Sequence, residues 1–454
     1  MDAAENPTKI VWGLAWPAVA LNSLQMVNSL LDSFFVQSLG VESLTAIGAA
    51  ISLIFLLFSI AMSLGTAATA LVSRSFGAGD LAECVTANKK CMGTAVAVGL
   101  ALTAISLPGS SLLSLAMLSD NETHSRALMV TYLWIYALGL PAIFVIQVLA
   151  GSLRGIGDTK SPMVVSGIQI LLHMGLNFFL INPGHTIGPV RIMGLGWGLT
   201  GAAIAMSASA WAAAAIYVIW TKKTPLSHGV SFAWPGSAWL SRIFRIAFPA
   251  SLLSVVRVTS LMAFTSILSK VPGGGAAVGA LRPSFSIESL AFMPGFGLSM
   301  ATSALVGQSL GMGRPDRAEK LAWLASHHAA IVGTLASVLL FVFSHQVALA
   351  LVPTQPTVAA HVSEYLRFAC TTEMLFAYAM VLIGALQGAG DTLSTFWMTI
   401  VCMWMVRVPL AWLLAHPLNL GAAGCWMSMA VSQGVQGLAA MWLFKQGAWK
   451  HKKV

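Results

Sequence analysis

Gly151 to Thr159 reads GSLRGIGDT, and about 233 residues later Gly384 to Thr392 reads GALQGAGDT. Two further pairs keep nearly the same offset and the same order: LVSRSFGAGD (Leu71 to Asp80) with LVGQSLGMGR (Leu305 to Arg314), and AWPA (Ala15 to Ala18) with AFPA (Ala247 to Ala250). The chain is therefore read as an internal duplication. Each half holds an even number of apolar runs, so both halves enter from the same side. Parallel repeats of that kind are related by an axis along the membrane normal, with a central cavity expected between them.

Composition sets the class. Hydrophobic residues make up 57% of the 454 positions and charged residues 9%, where a soluble domain carries about 25% charged. Mean hydropathy is +0.81. About twelve apolar runs are each long enough to cross roughly 30 Å of hydrocarbon. The first six are 10–39, 44–73, 91–116, 127–153, 162–181 and 192–220, and the second six are 246–268, 276–310, 321–343, 362–386, 396–414 and 422–444. The expectation is an all-α polytopic membrane protein with about twelve transmembrane helices in two parallel six-helix repeats. Its lobes are residues 1–221 and 242–454, joined by a polar connection at 222–241 that carries Lys222, Lys223, Pro225 and Pro235. The start, MDAAENPTKIVWG, has acids where a signal peptide has bases, so the first apolar run is read as retained.

Lys and Arg set the orientation. With the N-terminus inside, Lys9, Arg74, Lys89, Lys90, Lys160, Lys222, Lys223, Arg314, Lys320 and Lys450 to Lys453 fall on the cytoplasmic side, and only Arg126, Arg191 and Lys270 fall outside. Both termini are thus expected in the cytoplasm of a cell-membrane protein. The net charge of +9 is spread over many loops rather than gathered on one face, which argues against a nucleic-acid partner. Five cysteines show no CxxC or Cys/His spacing, so neither a disulfide framework nor a zinc site is expected.

Within the first run, NSLQMVNSLLDSFFVQ (Asn22 to Gln37) places Asn22, Gln25, Ser29 and Asp32 on one helical stripe. Asp32 is the only charge between Lys9 and Glu42. A carboxylate inside a membrane helix costs at least about 2.5 to 3.5 kcal/mol, so it is read as an ion or substrate site, the plain alternative being a packing Asp satisfied by Asn or Ser neighbours. Gln25, Asn28 and Ser29 join it as cavity candidates. Glu288 and Glu373 are two more acids in apolar runs. Each is read either as part of the transport pathway or as one half of an ion pair, Glu288 with Arg257 or Arg282 and Glu373 with Arg367 or Arg407. Each GxGD ends a span, which suits a left-handed glycine turn followed by an Asp that caps the next helix. No Walker lysine motif, HExxH or nucleophile elbow is present, so an enzyme is not expected.

The quoted motifs, together with LDSFFVQSLGVESLTAIGAA, LRGIGDTKSPM and ESLAFMPGFGLSMATSALVGQSLGMGRPDRAEKLA, resemble the multidrug and toxic compound extrusion family over most of the chain. That resemblance implies a secondary antiporter exporting organic, often cationic or amphipathic, compounds in exchange for protons or sodium ions. It implies no cofactor beyond the coupling ion, the bilayer as surroundings, and a monomer. Asp32 matches the family's first-helix acid and Pro17 its helix-bending proline. His173 and Asn177 stand where many members carry an Asn and an Asp of the ion site, and Arg257 and Phe376 where another branch carries acids. With the second carboxylate missing, a lone carboxylate beside an imidazole suits protons better than sodium, which prefers an oxygen cage. A lipid-linked sugar flippase of the same superfamily is the alternative, for which Arg257, Arg282 and Arg407 would supply phosphate contacts.

Overall fold

The computed structural model describes residues 6–37, 39–187, 190–227 and 233–452. Residues 228–232 of the expected connection, and Lys453, lie outside the described residues. The first helices are α1 (Pro7–Gln37), α2 (Val41–Gly77), α3 (Leu81–Met117), α4 (Thr123–Gly155), α5 (Lys160–Leu180) and α6 (Gly198–Thr221). A two-stranded antiparallel hairpin, β1 (Gly184–Ile187) with β2 (Val190–Met193), sits between α5 and α6. It is the one strand pair in an otherwise helical fold among the described residues. Then follow α7 (Ser237–Ser269), α8 (Gly274–Gly311), α9 (Pro315–Val342), α10 (Ser344–Leu351), α11 (Pro356–Cys370) and α12 (Glu373–Gly388). The last are α13 (Thr392–Ile400), a π-helical stretch Val401–Arg407, α14 (Val408–Ala415) and α15 (Gly421–Gln446).

Among the described residues, ten helical segments are long and apolar enough to cross a membrane, and α11 with α12 form an eleventh, bent by 63°. The twelfth expected span, α15, is 26 residues long but buries Ser428, Ser432, Gln433 and Gln436 on its packed side, which lowers its hydropathy. Its polar groups face protein, as the absence of water in hydrocarbon demands. Ile51, Leu171, Leu335 and Trp442 are each more than half exposed, the pattern of side chains that meet lipid.

The chain divides into two compact units, Ala20–Ala247 and Met1–Val19 with Phe248–Val454. The expected lobes 1–221 and 242–454 cut the chain elsewhere: the handovers fall inside α1 and α7 rather than in the 222–241 connection. Packing is the reason. Val11 and Ala15 are fully buried in a cluster with Leu298, Ala301, Leu321 and Ala325, so the start of α1 belongs with α8 and α9. Pro17 and Pro249, the prolines of the repeated AWPA and AFPA, lie within two residues of these handovers.

In the unit Ala20–Ala247, α4 is the central helix and packs on α2, α3 and α6. In the other unit α12 holds the same place against α8, α9 and α15. The repeated glycines explain this. A Cβ on Gly151 would lie 2.2 Å from the carbonyl oxygen of Gly65 on α2, and one on Gly384 would lie 2.2 Å from Ser299 Oγ on α8. Such crossings bring backbones close enough for Thr69 Oγ1 to donate to the Gly151 carbonyl at 2.9 Å and Ser299 Oγ to the Met380 carbonyl at 2.8 Å. The later glycines turn the chain: Gly157 and Gly390 have φ of 88° and 84°, a conformation without penalty only for glycine. Asp158 then accepts from the Ser161 amide at 2.9 Å, and Asp391 accepts from Ser394 Oγ at 2.8 Å.

Basic segments after the last helix of each repeat fasten the same end. Arg242 pairs with Glu83 at 2.9 Å while lying over the Trp239 ring. After α15, Trp449 is fully buried and stacks on Phe444, Lys450 pairs with Glu319 at 2.6 Å, and Lys452 pairs with Asp391 at 3.1 Å.

Candidate functional site

The polar residues of α1 and α5 meet around Asp32. Asn177 Nδ2 donates to Asp32 Oδ1 at 2.7 Å. His173, one helical turn before Asn177, brings Nε2 to 3.7 Å from the same Asp32 oxygen and Nδ1 to 3.2 Å from Asn28 Oδ1. Asn28 precedes Asp32 by one turn of α1, so a spacing of four residues on each helix makes a two-by-two arrangement. His173 and Asn177 are buried, at 6% and 2% exposure, and the Asp32 side chain is 32% exposed. A buried pair thus holds a carboxylate that keeps access to its surroundings.

The hydrogen-bond chemistry fixes the imidazole. With the Asn28 amide oxygen as acceptor, Nδ1 of His173 carries a hydrogen. Its Nε2 then carries a lone pair, which accepts from Asn177 Nδ2 at 3.4 Å and lies 3.7 Å from Asp32 Oδ1. The Asn177 amide thus bridges the imidazole and the carboxylate, which keeps two groups able to exchange a proton side by side. Asn177 Oδ1 is buried without a hydrogen-bond partner among the described residues. Gln25 and Ser29, expected on the same stripe, lie exposed on α1.

The other expected acids form a separate cluster on α8, α11, α12 and α15. Glu288 is 6% exposed and accepts from Tyr365 Oη at 2.5 Å and from Gln433 Nε2 at 3.2 Å. Thr372 Oγ1 donates to Gln433 Oε1 at 3.3 Å, which extends the network to the bend between α11 and α12. Glu373 opens α12, is 1% exposed, and lies against Gly333, its Oε1 without a hydrogen-bond partner among the described residues. The ion-pair readings are corrected here. Among the described residues neither glutamate pairs with Arg257, Arg282, Arg367 or Arg407, because Tyr365 and Gln433 satisfy Glu288, and Arg407 is turned to Ser432 Oγ at 2.8 Å. Arg257 and Arg282 are exposed on α7 and α8. Tyr365 and Gln433 carried no sequence signal, since a lone Tyr or Gln in an apolar helix has no period to betray it. Among the described residues no cluster of three or more His, Cys, Asp or Glu side chains has the arrangement of a metal site.

The MatE family model matches residues 17–179 and 249–413, one stretch in each repeat. The chain is similar to a probable multidrug resistance protein NorM of Thermotoga maritima, 25% identical and covering 97% of this chain and 93% of that protein. It is also similar to Protein DETOXIFICATION 30 of Arabidopsis thaliana, 22% identical over 97% of this chain and 86% of that one. Among solved structures, the outward-facing conformation of a multidrug resistance MATE family transporter of the MOP superfamily superposes with a TM-score of 0.89. It covers 99% of this chain and 98% of that one at 22% identity, which establishes the common fold.

Proposed function

Because the chain belongs to the MatE family of multidrug efflux transporters, we propose that it is a proton-coupled antiporter. In this reading it exports organic cations and other amphipathic compounds, with Asp32 and His173 carrying the coupling proton. The supporting observation is a single carboxylate, hydrogen-bonded to an amide and facing an imidazole nitrogen at 3.7 Å, with no second acid among its contacts to the described residues. Sodium is held by several oxygen ligands. One carboxylate, one imidazole and one amide are a poor cage for it and a good relay for a proton.

Proton arrival from outside neutralises the Asp32–His173 pair, and the hydrogen bonds to Asn28 and Asn177 readjust. Pro17 leaves the α1 backbone short of one hydrogen bond, which gives the helix a place to bend as those contacts change. The distribution of Lys and Arg supports cytoplasmic termini, and in this reading the transporter acts as a monomer.

The test is substrate-driven ion flux in proteoliposomes, wild type against Asp32→Asn. We expect proton flux that sodium does not replace, and its loss in the variant. Undiminished proton-coupled efflux by a well-folded Asp32→Asn protein would sink the reading.

A further inference from the structure

The end of α9, α10 and one face of α11 line an open cavity of about 800 Å³. It lies at the end of α9 opposite the Gly313 turn. At 28 residues that helix is about 42 Å long, more than the roughly 30 Å of a hydrocarbon core, so its far end reaches a headgroup layer. One wall is apolar: Phe341, Leu349 and Phe368. On α11, beside Phe368, the lining also includes His361, Glu364 and Arg367.

The polar wall is held in place. Arg367 Nε donates to Ser344 Oγ at 3.1 Å, Ser363 Oγ bonds the same hydroxyl at 3.3 Å, and Ser344 is fully buried. His361 Nδ1 lies 3.4 Å from Glu364 Oε2. The guanidinium is exposed and only its Nε is engaged among the described residues. A cation and an anion three residues apart on a helix sit about 5 to 6 Å apart at Cβ, beside an apolar wall at a membrane boundary. Few membrane molecules carry that pattern in reverse.

We propose that this cavity binds a phospholipid with a phosphoethanolamine headgroup. Arg367 holds the phosphate through its terminal nitrogens, Glu364 accepts from the primary ammonium, and Phe341, Leu349 and Phe368 cover the start of the acyl chains. The ammonium is separated from the phosphate by a two-carbon link, which suits adjacent acidic and basic side chains. A phosphoglycerol headgroup has no charge for Glu364, and a phosphocholine ammonium has no hydrogen to donate. The proposal does not depend on proton coupling.

Native mass spectrometry of the purified full chain, supplied in turn with phosphatidylethanolamine, phosphatidylglycerol and phosphatidylcholine, tests it. Wild type should retain the ethanolamine lipid in preference to the other two. Glu364→Gln should lower ethanolamine-lipid retention about tenfold while leaving phosphatidylglycerol unchanged, and Arg367→Gln should weaken every phospholipid by about that factor. Lys320→Gln, an exposed lysine near the other end of α9, should change nothing. Equal retention of the three lipids by wild type, or wild-type retention by Glu364→Gln and Arg367→Gln, would overturn the assignment.

Discussion

Asn177 donates to Asp32 across 2.7 Å, joining two membrane helices at the one acid of the first span. A hydrogen bond to a charged group contributes about 1.5 to 3 kcal/mol. Asn177→Leu should therefore slow substrate-driven proton flux by about tenfold or more, because Asp32 loses both its donor and its position relative to His173. The same rate measured with Asn177→Gln should be partly restored.

Replacing the imidazole and amide by the pair that the resemblance associates with an ion site gives a sharper test. His173→Asn with Asn177→Asp sets a second carboxylate beside Asp32 and adds oxygen ligands. The double variant should show sodium-stimulated substrate efflux where wild type shows none, read as sodium-dependent uptake into inverted vesicles. If sodium leaves it unmoved, the coupling ion is set by something other than this quartet.

One proton exchanged for one monovalent organic cation moves no net charge. A membrane potential of about 100 mV is worth about 2.3 kcal/mol per charge, and that contribution cancels. The pH gradient alone remains, at about 1.36 kcal/mol per unit. Steady-state accumulation of such a substrate should reach about tenfold per pH unit and should not change when potassium and valinomycin clamp the voltage.

The membrane class and the duplication were legible in the residues, because apolar runs and a repeated nine-residue motif need no three-dimensional context, and Asp32 stood out as a lone charge in such a run. The partners of Asp32 were not. Asn28 and His173, like Asp32 and Asn177, lie 145 positions apart, and only the resemblance suggested α5. Glu288 was noticed as an acid, and of its two readings the ion pair is the one the structure does not show, since a neutral Tyr365 and Gln433 satisfy it. The repeated glycines were read as one device and prove to be two: turns at Gly157 and Gly390, helix crossings at Gly151 and Gly384. The buried Trp449 near the end of the chain left no mark at all, because an aromatic among lysines reads as a solvated tail.

Those two glycine roles separate by experiment. Gly151→Ala and Gly384→Ala each push a methyl into atoms 2.2 Å away and should cost about 1 to 3 kcal/mol through overpacking. Gly157→Ala should cost about 1 to 2 kcal/mol through its left-handed backbone. Gly109→Ala, with nothing within 4 Å, should be neutral or slightly stabilising. Thermal unfolding of the detergent-solubilised variants gives the order.

Val11 and Ala15, both wholly shielded against Leu298, Ala301 and Leu321, make the opening segment a cork for the later repeat. A gene divided within the 222–241 stretch would consequently yield unequal products. The downstream fragment would be born with an uncovered greasy groove, and a short peptide spanning residues 7–19 should be enough to rescue it without the rest of the upstream piece.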